Sequence, residues 1–287
     1  MTTTLDATRP TAPSVPVDAH LTFPRIVKSE WIKLRTLRST LWALIITVVV
    51  MVGFSLLLAA FAHNFATPRA ATPDGRPPSV GMSSTEVVEL VNTFGYYFAE
   101  LVVAVLGVLL ITGEYGTGMI RSTMAAVPKR IPALVAKYIV VGVTTFVVSA
   151  FAIAISYLVT KPILAPDNLN AALSGQIVRV FLGCALYLSL ISLFALAIGA
   201  MMRHSAGAIS TVLGILLLVP IILGILSNFV SWADNITKWL PTEVGGRMMA
   251  TTTQSGDLTP WQGFGMLALY VVVLGIASAA LLRRRDV

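Results

Sequence analysis

The chain has 287 residues, of which 56% are hydrophobic and only 11% are charged, and its formal net charge is +7. A soluble globular domain of this size is excluded, because its water-facing surface would need more polar groups. The mean hydropathy of +0.84 indicates an integral membrane protein instead. The basic residues are spread between apolar runs rather than gathered on one soluble face, so we expect no nucleic-acid partner.

Six apolar runs are long enough to cross a membrane, for which a helix needs about 20 residues. They are too long and too uniformly apolar for the alternating strands of an outer-membrane barrel, so we expect helices. The predicted fold class is an all-α integral membrane protein with one transmembrane domain, residues 21–287. Residues 1–20 are rich in Thr, Pro and Ala and predict a disordered cytosolic tail. The predicted spans are residues 42–62, 93–112, 133–159, 176–200, 206–227 and 262–282.

Basic residues are concentrated in the segments before the first predicted span, between the second and third, between the fourth and fifth, and after the sixth. The other connections carry fewer basic residues over longer segments. The positive-inside rule therefore predicts that both termini lie in the cytosol. The lipid bilayer is the expected partner of most of these side chains.

Residues 22–41 predict an amphipathic helix that lies in the cytosolic membrane interface before the first span. Its polar side carries Arg25, Lys28 and Arg35. Glu30 and Arg38 fall inside the apolar stripe, so we expect each of them to contact protein. The stripe consists of Phe23, Val27, Trp31, Leu34, Leu37 and Leu41. The candidate residues of this interface helix are Glu30, Trp31, Lys33, Arg35 and Arg38.

The second span places a carboxylate, Glu100, at membrane depth, at a cost of roughly 2.5–3.5 kcal/mol unless it faces protein or water. A capping box of Ser83 and Glu86 predicts that the helix begins well before the span. Two interpretations of the polar face stay open: it lines a path or a dimer seam, or Glu100 is held by Tyr or Ser hydroxyls of neighbouring spans. Helical periodicity puts Glu89, Asn92, Thr93, Tyr96, Glu100, Gly107 and Glu114 on that face.

A polar island separates the second and third apolar runs. It begins at Gly113 and ends with the turn Pro128–Lys129–Arg130. Gly116 and Gly118 lower the helix propensity at its start, and Pro128 ends the helix. A short helix along the membrane face is therefore expected between them. Both ends of such a helix are fixed to membrane spans, so a push on it would tilt both spans.

The connection at residues 228–261 carries three tryptophans, Trp232, Trp239 and Trp261, which predict short helices in the outer headgroup region. Pro220 predicts a kink in the fifth span.

Enzyme signatures are missing from the sequence. No lysine follows a glycine, as a phosphate-binding loop requires, and the three histidines have no metal-binding spacing. The single cysteine, Cys184, leaves no internal disulfide. We therefore expect no catalytic residue, metal site or cofactor in this chain.

Two segments resemble the permease subunits of type-2 ABC exporters of the actinobacterial type. One is Ser29–Glu30–Trp31 with Lys33–Leu34–Arg35; the other is the Gly113–Glu114–Tyr115 island that leads to an Ile–Arg pair and a Pro–Lys–Arg turn. Six spans and a long outer connection after the fifth agree with that layout. The departures are Gly116–Thr117, where a more charged pair is expected, and Met119, where Thr is usual.

The resemblance implies a permease in the bacterial inner (plasma) membrane that works as a homodimer, or as a pair of related permeases, on two copies of a separate ATPase. ATP and magnesium would bind to that ATPase. It also implies a coupling helix in the island, external re-entrant helices after span five, and outward transport of a lipophilic or amphiphilic small-molecule substrate such as a drug, antibiotic or lipid. The implied coupling residues are Gly113, Glu114, Tyr115, Gly118, Arg121, Lys129 and Arg130. The candidate translocation path comprises Glu89, Asn92, Tyr96 and Glu100.

Two other functions remain open on the sequence alone. An ion-coupled secondary transporter would use Glu100 as a relay, but its usual inverted repeats are not visible. A membrane anchor or sensor would not transport at all, and the continuous polar face argues against it.

Overall fold

The computed structural model describes residues 22–66, 81–120, 130–251 and 257–284, and no strand occurs within these ranges. This all-helical architecture agrees with the predicted fold class; the tail at residues 1–20 lies outside the described residues. The α-helices are α1 Phe23–Thr36, α2 Arg38–Ala60, α3 Ala62–Ala66, α4 Ser84–Thr93, α5 Tyr96–Gly116, α6 Arg130–Leu164, α7 Gly175–Met202, α8 Ser205–Leu213, α9 Val219–Leu226, α10 Ser231–Thr237, α11 Pro241–Gly246 and α12 Pro260–Arg284.

Six helical stretches within the described ranges are long and apolar enough to span a membrane, as predicted. They are Arg38–Ala60, Ser84–Gly116, Ile131–Leu164, Gly175–Met202, Ser205–Leu226 and Pro260–Arg284. The second begins earlier than the predicted residue 93 because α4 precedes α5 with only a short break. The predicted capping box starts α4: the Ser83 backbone N–H donates to Glu86 Oε2 at 2.8 Å, and the Glu86 N–H donates to Ser83 Oγ at 3.3 Å.

Helix α7 forms the centre of the bundle. In the apolar stretch of α7, 72% of the residues are buried. In the span formed by α8 and α9 the corresponding share is 11%. The backbones of α5 and α7 touch at Gly107, where a Cβ atom would lie 2.2 Å from the Ser192 carbonyl oxygen. Only glycine permits this approach, as is usual where membrane helices pack closely.

Helix α1 is shorter than the amphipathic helix predicted over residues 22–41, and its position in the membrane interface stays a prediction. Helix α1 ends at Thr36, and Leu37 is extended with ψ 115° before α2 begins at Arg38. Arg38 and Leu41 therefore belong to the first span and not to the interface helix. The polar island is also divided differently, because α5 continues through Gly116.

One end of the bundle, here called the terminal face, gathers α1, the end of α5, the start of α6 and the end of α12. Leu34, Leu110, Leu134 and Leu282 from these four helices share one apolar cluster there. Near the other end of the bundle lie the short helices α10 and α11 and a 3₁₀ turn at Arg247–Met249. Whether these short helices re-enter the membrane stays a prediction.

The fifth span is irregular where Pro220 predicts a kink. A π-helical turn at Gly214–Leu218 joins α8 to α9 immediately before this proline. Proline lacks the N–H that would continue the α-helical ladder, and π turns are one way in which a membrane helix absorbs the mismatch.

Candidate functional site

Four charged side chains from three helices form a closed cluster at the terminal face, here called the charge ring. Lys137 Nζ donates to Glu30 Oε2 at 2.5 Å and to Glu114 Oε1 at 2.9 Å. Lys33 Nζ donates to Glu30 Oε1 at 2.7 Å and to Glu114 Oε1 at 3.0 Å. Two carboxylates thus alternate with two ammonium groups, and the formal charges cancel.

Local helix geometry places each member of the charge ring. Glu30 and Lys33 are three residues apart on α1, so their side chains lie on one face. Glu114 belongs to the last turns of α5, and Lys137 follows about two turns into α6. The ring consequently ties α1 to the last turns of α5 and the first turns of α6.

The face of α1 that packs against the protein differs from the predicted apolar stripe. Ile26 and Leu34, four residues on either side of Glu30, are buried with it. Trp31 and Phe23, which belong to the predicted stripe, are 45% and 43% exposed. The orientation of the helix therefore follows the ring and the two aliphatic residues beside it, and leaves Trp31 facing outward.

Burial makes these charges dependent on one another. Glu30, Glu114 and Lys137 are only 3%, 4% and 7% exposed. Burial alone would raise the pKa of Glu30, but the ammonium groups of Lys137 and Lys33 outweigh it and lower that pKa. Burial would lower the pKa of Lys33, but the hydrogen bond to Glu30 and the charge of Glu114 raise it. Glu30 and Lys33 therefore keep their charges at neutral pH.

A groove of about 350 Å³ opens beside the charge ring, between the α1–α2 junction, α5 and the start of α6. Gly113, Thr117 and Met119 line it together with all four ring residues. The ring is thus a wall of a concave surface at the terminal face, which a protruding partner side chain or short helix could enter.

The rest of the polar island lies next to this groove. The Tyr115 ring packs under the Arg203 guanidinium, whose carbon is 5.2 Å from the ring centroid, so the end of α5 also contacts the α7–α8 turn. Gly118 has φ +72°, a left-handed conformation that favours glycine, and it ends the extension of α5. Arg121 and Lys129 lie outside the described residues, as does most of the predicted coupling helix.

The other predicted basic residues are Arg130, Arg35 and Arg38. Arg130 begins α6, and its side chain lies outside the described part. Arg35 and Arg38 are exposed. Among the described residues no ion pair involves Arg38, so the partner expected for it is not found there.

Three of the candidate path residues, Glu89, Asn92 and Glu100, are buried within this chain, and Tyr96 is half-buried. Glu100 is 5% exposed and accepts a short hydrogen bond from the Tyr187 hydroxyl of α7. Tyr96 packs edge-on against the same Tyr187 ring, with the ring centroids 5.5 Å apart. This is the kind of hydroxyl partner that the second interpretation of Glu100 expects, while its role in a path stays a prediction.

Nearer the start of the second span, the polar face is only partly satisfied. Asn92 accepts a hydrogen bond of 3.0 Å from Thr160 of α6. Glu89 is buried, and within the described part neither of its carboxylate oxygens has a hydrogen bond of normal geometry, although Gln176 and Arg179 of α7 are its neighbours.

Sequence reasoning named neither Lys137 as the partner of Glu114 nor Tyr187 as the partner of Glu100, although it left a Tyr or Ser hydroxyl open for Glu100. Lys137 lies inside the third predicted span, and a lysine there signals a buried cation that needs a carboxylate. Tyr187 carries no comparable signal, because a tyrosine in the middle of a span fits packing equally well.

Comparison with known proteins identifies the family. The model of the family described as "ABC-2 family transporter protein" matches residues 26–220, which include most of α1, the four residues of the charge ring and the first four spans. No curated protein matches the chain significantly. The family match covers well over half of the chain, and so the chain belongs to the ABC-2 family of transporter permeases.

Proposed function

We propose that this chain is the membrane permease of an ATP-driven exporter that moves a lipophilic or amphiphilic compound out of the cytoplasm. The family implies association with an ABC ATPase in general. The observation that carries the proposal is the charge ring, because it fastens an amphipathic surface helix to two membrane spans at one end of the bundle.

The ring supports a coupling role through its geometry. Glu30 and Lys33 lie on α1, Glu114 lies in the last turn of α5, and Lys137 lies about two turns into α6. A force on α1 or on the 113–130 island is therefore passed to the second and third spans through short, buried ion pairs. ATP and magnesium would act in the separate ATPase, and the groove beside the ring would receive a projection of that protein.

We also propose a second permease copy in the assembly, because the fifth span is largely exposed in the single chain. Only 11% of its apolar window is buried in the single chain, and Leu218, Ile221, Ile222 and Ile225 are all at least half exposed. A homodimer would cover this surface and would bring two ATPase copies beneath it. In that assembly the polar face of the second span, including Glu100, is the proposed path.

The proposed orientation places the terminal face in the cytosol of a bacterial cell. Its support is the concentration of Lys and Arg in the segments that meet there. An ATPase could reach the charge ring only on that side.

The test measures the binding of candidate ATPases to the permease in membranes or nanodiscs, and the ATP hydrolysis of the resulting assemblies. We expect the wild type to retain one ATPase stably, and Glu114→Ala to lower ATP hydrolysis in an assembly that still forms. Glu243→Ala, an exposed carboxylate in the first turn of α11, is the matched control and should leave hydrolysis unchanged.

Two results would overturn the proposal. One is failure of every ATPase encoded beside the permease to bind. The other is transport by the reconstituted chain driven by a proton or sodium gradient alone, which would favour the secondary transporter.

A further inference from the structure

A second groove lies between α6 and α12, on the outer surface of the bundle next to the terminal face. Its volume is about 740 Å³, within the range of roughly 300–1,000 Å³ typical of ligand pockets. Its walls are aliphatic and largely exposed, and include Val135, Ile139, Val272 and Ile276.

Small residues on α12 create this groove. The two helices meet where Tyr138 Oη lies 3.5 Å from Ser278 Oγ, and Tyr138 lines the groove. Gly275, Ala279 and Ala280 line the α12 side, where the lack of larger side chains leaves space. A groove with this lining suits a flexible hydrocarbon chain, which has no polar groups to satisfy.

The end of the groove at the terminal face is basic. Arg283 and Arg284 line it, both are exposed, and in the described part of the chain neither forms an ion pair. Among the residues that the structure describes, none that lines the groove is acidic. Guanidinium groups bind phosphate in a bidentate manner, and basic pockets between membrane helices are known to hold anionic lipid headgroups.

We propose that this groove binds one anionic phospholipid, with an acyl chain between α6 and α12 and its phosphate against Arg283 and Arg284. Topology alone accounts for basic residues after the last span, but it does not account for an apolar groove that ends under two of them. The site is independent of the proposed ATPase and of the transported compound.

A second copy of this chain fits the groove less well. In a twofold interface the same patch faces itself, so concave surfaces would meet and the arginine pairs of the two copies would be brought close together. A lipid instead supplies a convex chain and an opposite charge in one molecule.

The test is native mass spectrometry of the detergent-purified protein after exchange into mixed micelles of phosphatidylglycerol and phosphatidylcholine. We expect retention of phosphatidylglycerol in preference to phosphatidylcholine. The double variant R283Q/R284Q should weaken phosphatidylglycerol binding by roughly tenfold or more, since it removes charge-assisted hydrogen bonds. The double variant K28Q/R35Q removes two exposed basic residues of α1 outside the groove and should bind like the wild type.

A second variant keeps the test decisive if the arginine changes impair folding. Ala280→Trp fills the groove without altering charge, and we expect it to lose the bound lipid. Equal retention of both lipids by the wild type would overturn the proposal, as would unchanged binding by Ala280→Trp or R283Q/R284Q. So would efficient disulfide cross-linking of two chains through Ile276→Cys in a Cys184→Ala background, because a second copy would then occupy the groove.

Discussion

Helix α5 carries two buried glutamates on one face, Glu100 and Glu114, and they have opposite kinds of partner. Glu114 contacts the ammonium groups of Lys33 and Lys137, whereas Glu100 accepts from the neutral hydroxyl of Tyr187. Fourteen residues separate them, which is about 21 Å along a helix. Gly107 lies midway between them, where α5 touches α7.

Depth explains the difference. Near the end of a span the long Lys stem can reach the interface, so an ion pair there avoids much of the cost of a charge in lipid. In the middle of a span a second charge would add to that cost. A hydroxyl group satisfies the carboxyl group at a lower cost in free energy. One helix face thus combines an ionic contact at the terminal face with a neutral contact inside the bundle.

The largest expected effect comes from breaking the ionic contact. Lys137→Met leaves Glu30 and Glu114 buried around Lys33 alone, and losing one partner of a buried pair typically costs about 3–5 kcal/mol. Thermal unfolding in detergent should show a marked loss of stability. Lys238→Met, which removes an exposed lysine at the end of α10, is the control and should change little. A Lys137→Met protein as stable as the wild type would contradict the ring.

The next effect comes from separating α5 from α7 between the two glutamates. In Gly107→Ala the new methyl group would meet the Ser192 carbonyl oxygen, and such overpacking typically costs about 1–3 kcal/mol. Gly53→Ala has open space around its Cβ position and is expected to be neutral or slightly stabilising. Comparable melting temperatures for the two variants would show that the close approach at Gly107 is not needed.

A smaller effect is expected at the neutral contact. Glu100→Gln keeps an acceptor for the Tyr187 hydroxyl, so we expect a loss of no more than about 1 kcal/mol. Tyr187→Phe removes the hydrogen bond itself and should cost about 1–3 kcal/mol, still no more than Lys137→Met. Transport by Glu100→Gln separates the path interpretation from the packing interpretation. Unchanged transport and ATP hydrolysis would show that Glu100 serves helix packing only.

The smallest effect is a change in acid sensitivity. The folded protein lowers the pKa of Glu30 below its ordinary value of 4.5, so its ionised form stabilises the fold above that pH, and the contribution is lost as pH falls through the lowered pKa. The melting temperatures of the wild type and Glu30→Gln should therefore differ at neutral pH and converge in acid. A difference that stays constant as pH falls would contradict this linkage.

The pKa of Lys33 is raised above 10.5, so its contribution persists until strongly alkaline pH.

Much of this arrangement follows from local sequence patterns. Hydrophobic runs long enough to span lipid predict the six spans, and Ser83 with Glu86 predicts the start of α4. Periodicity also places Glu100, Gly107 and Glu114 on one face of α5, and all three contact neighbouring helices. The resemblance carried by the 29–35 segment and the Gly113–Glu114–Tyr115 island agrees with the family match.

Patterns along one helix are less informative about its neighbours. The apolar stripe of α1 does not separate side chains that face lipid from those that face protein: Leu34 is buried and Trp31 is exposed. Lipid and protein interiors both accept apolar side chains, and hydropathy does not distinguish them. The sequence marks Glu30 as a residue that needs a partner, but it does not say that Lys137, 107 residues away, is that partner.

The sequence by itself determined that this chain spans a membrane in six helices and that its charged residues collect at particular ends, since both follow from the cost of placing polar groups in lipid. Only the tertiary structure decided which charges meet. Pairing depends on distances of 2.5–3.0 Å between helices that are far apart in the chain, and those distances are set by contacts such as that of Gly107 with Ser192. The same packing leaves the groove between α6 and α12 open, where small residues of α12 face Val135 and Ile139 of α6.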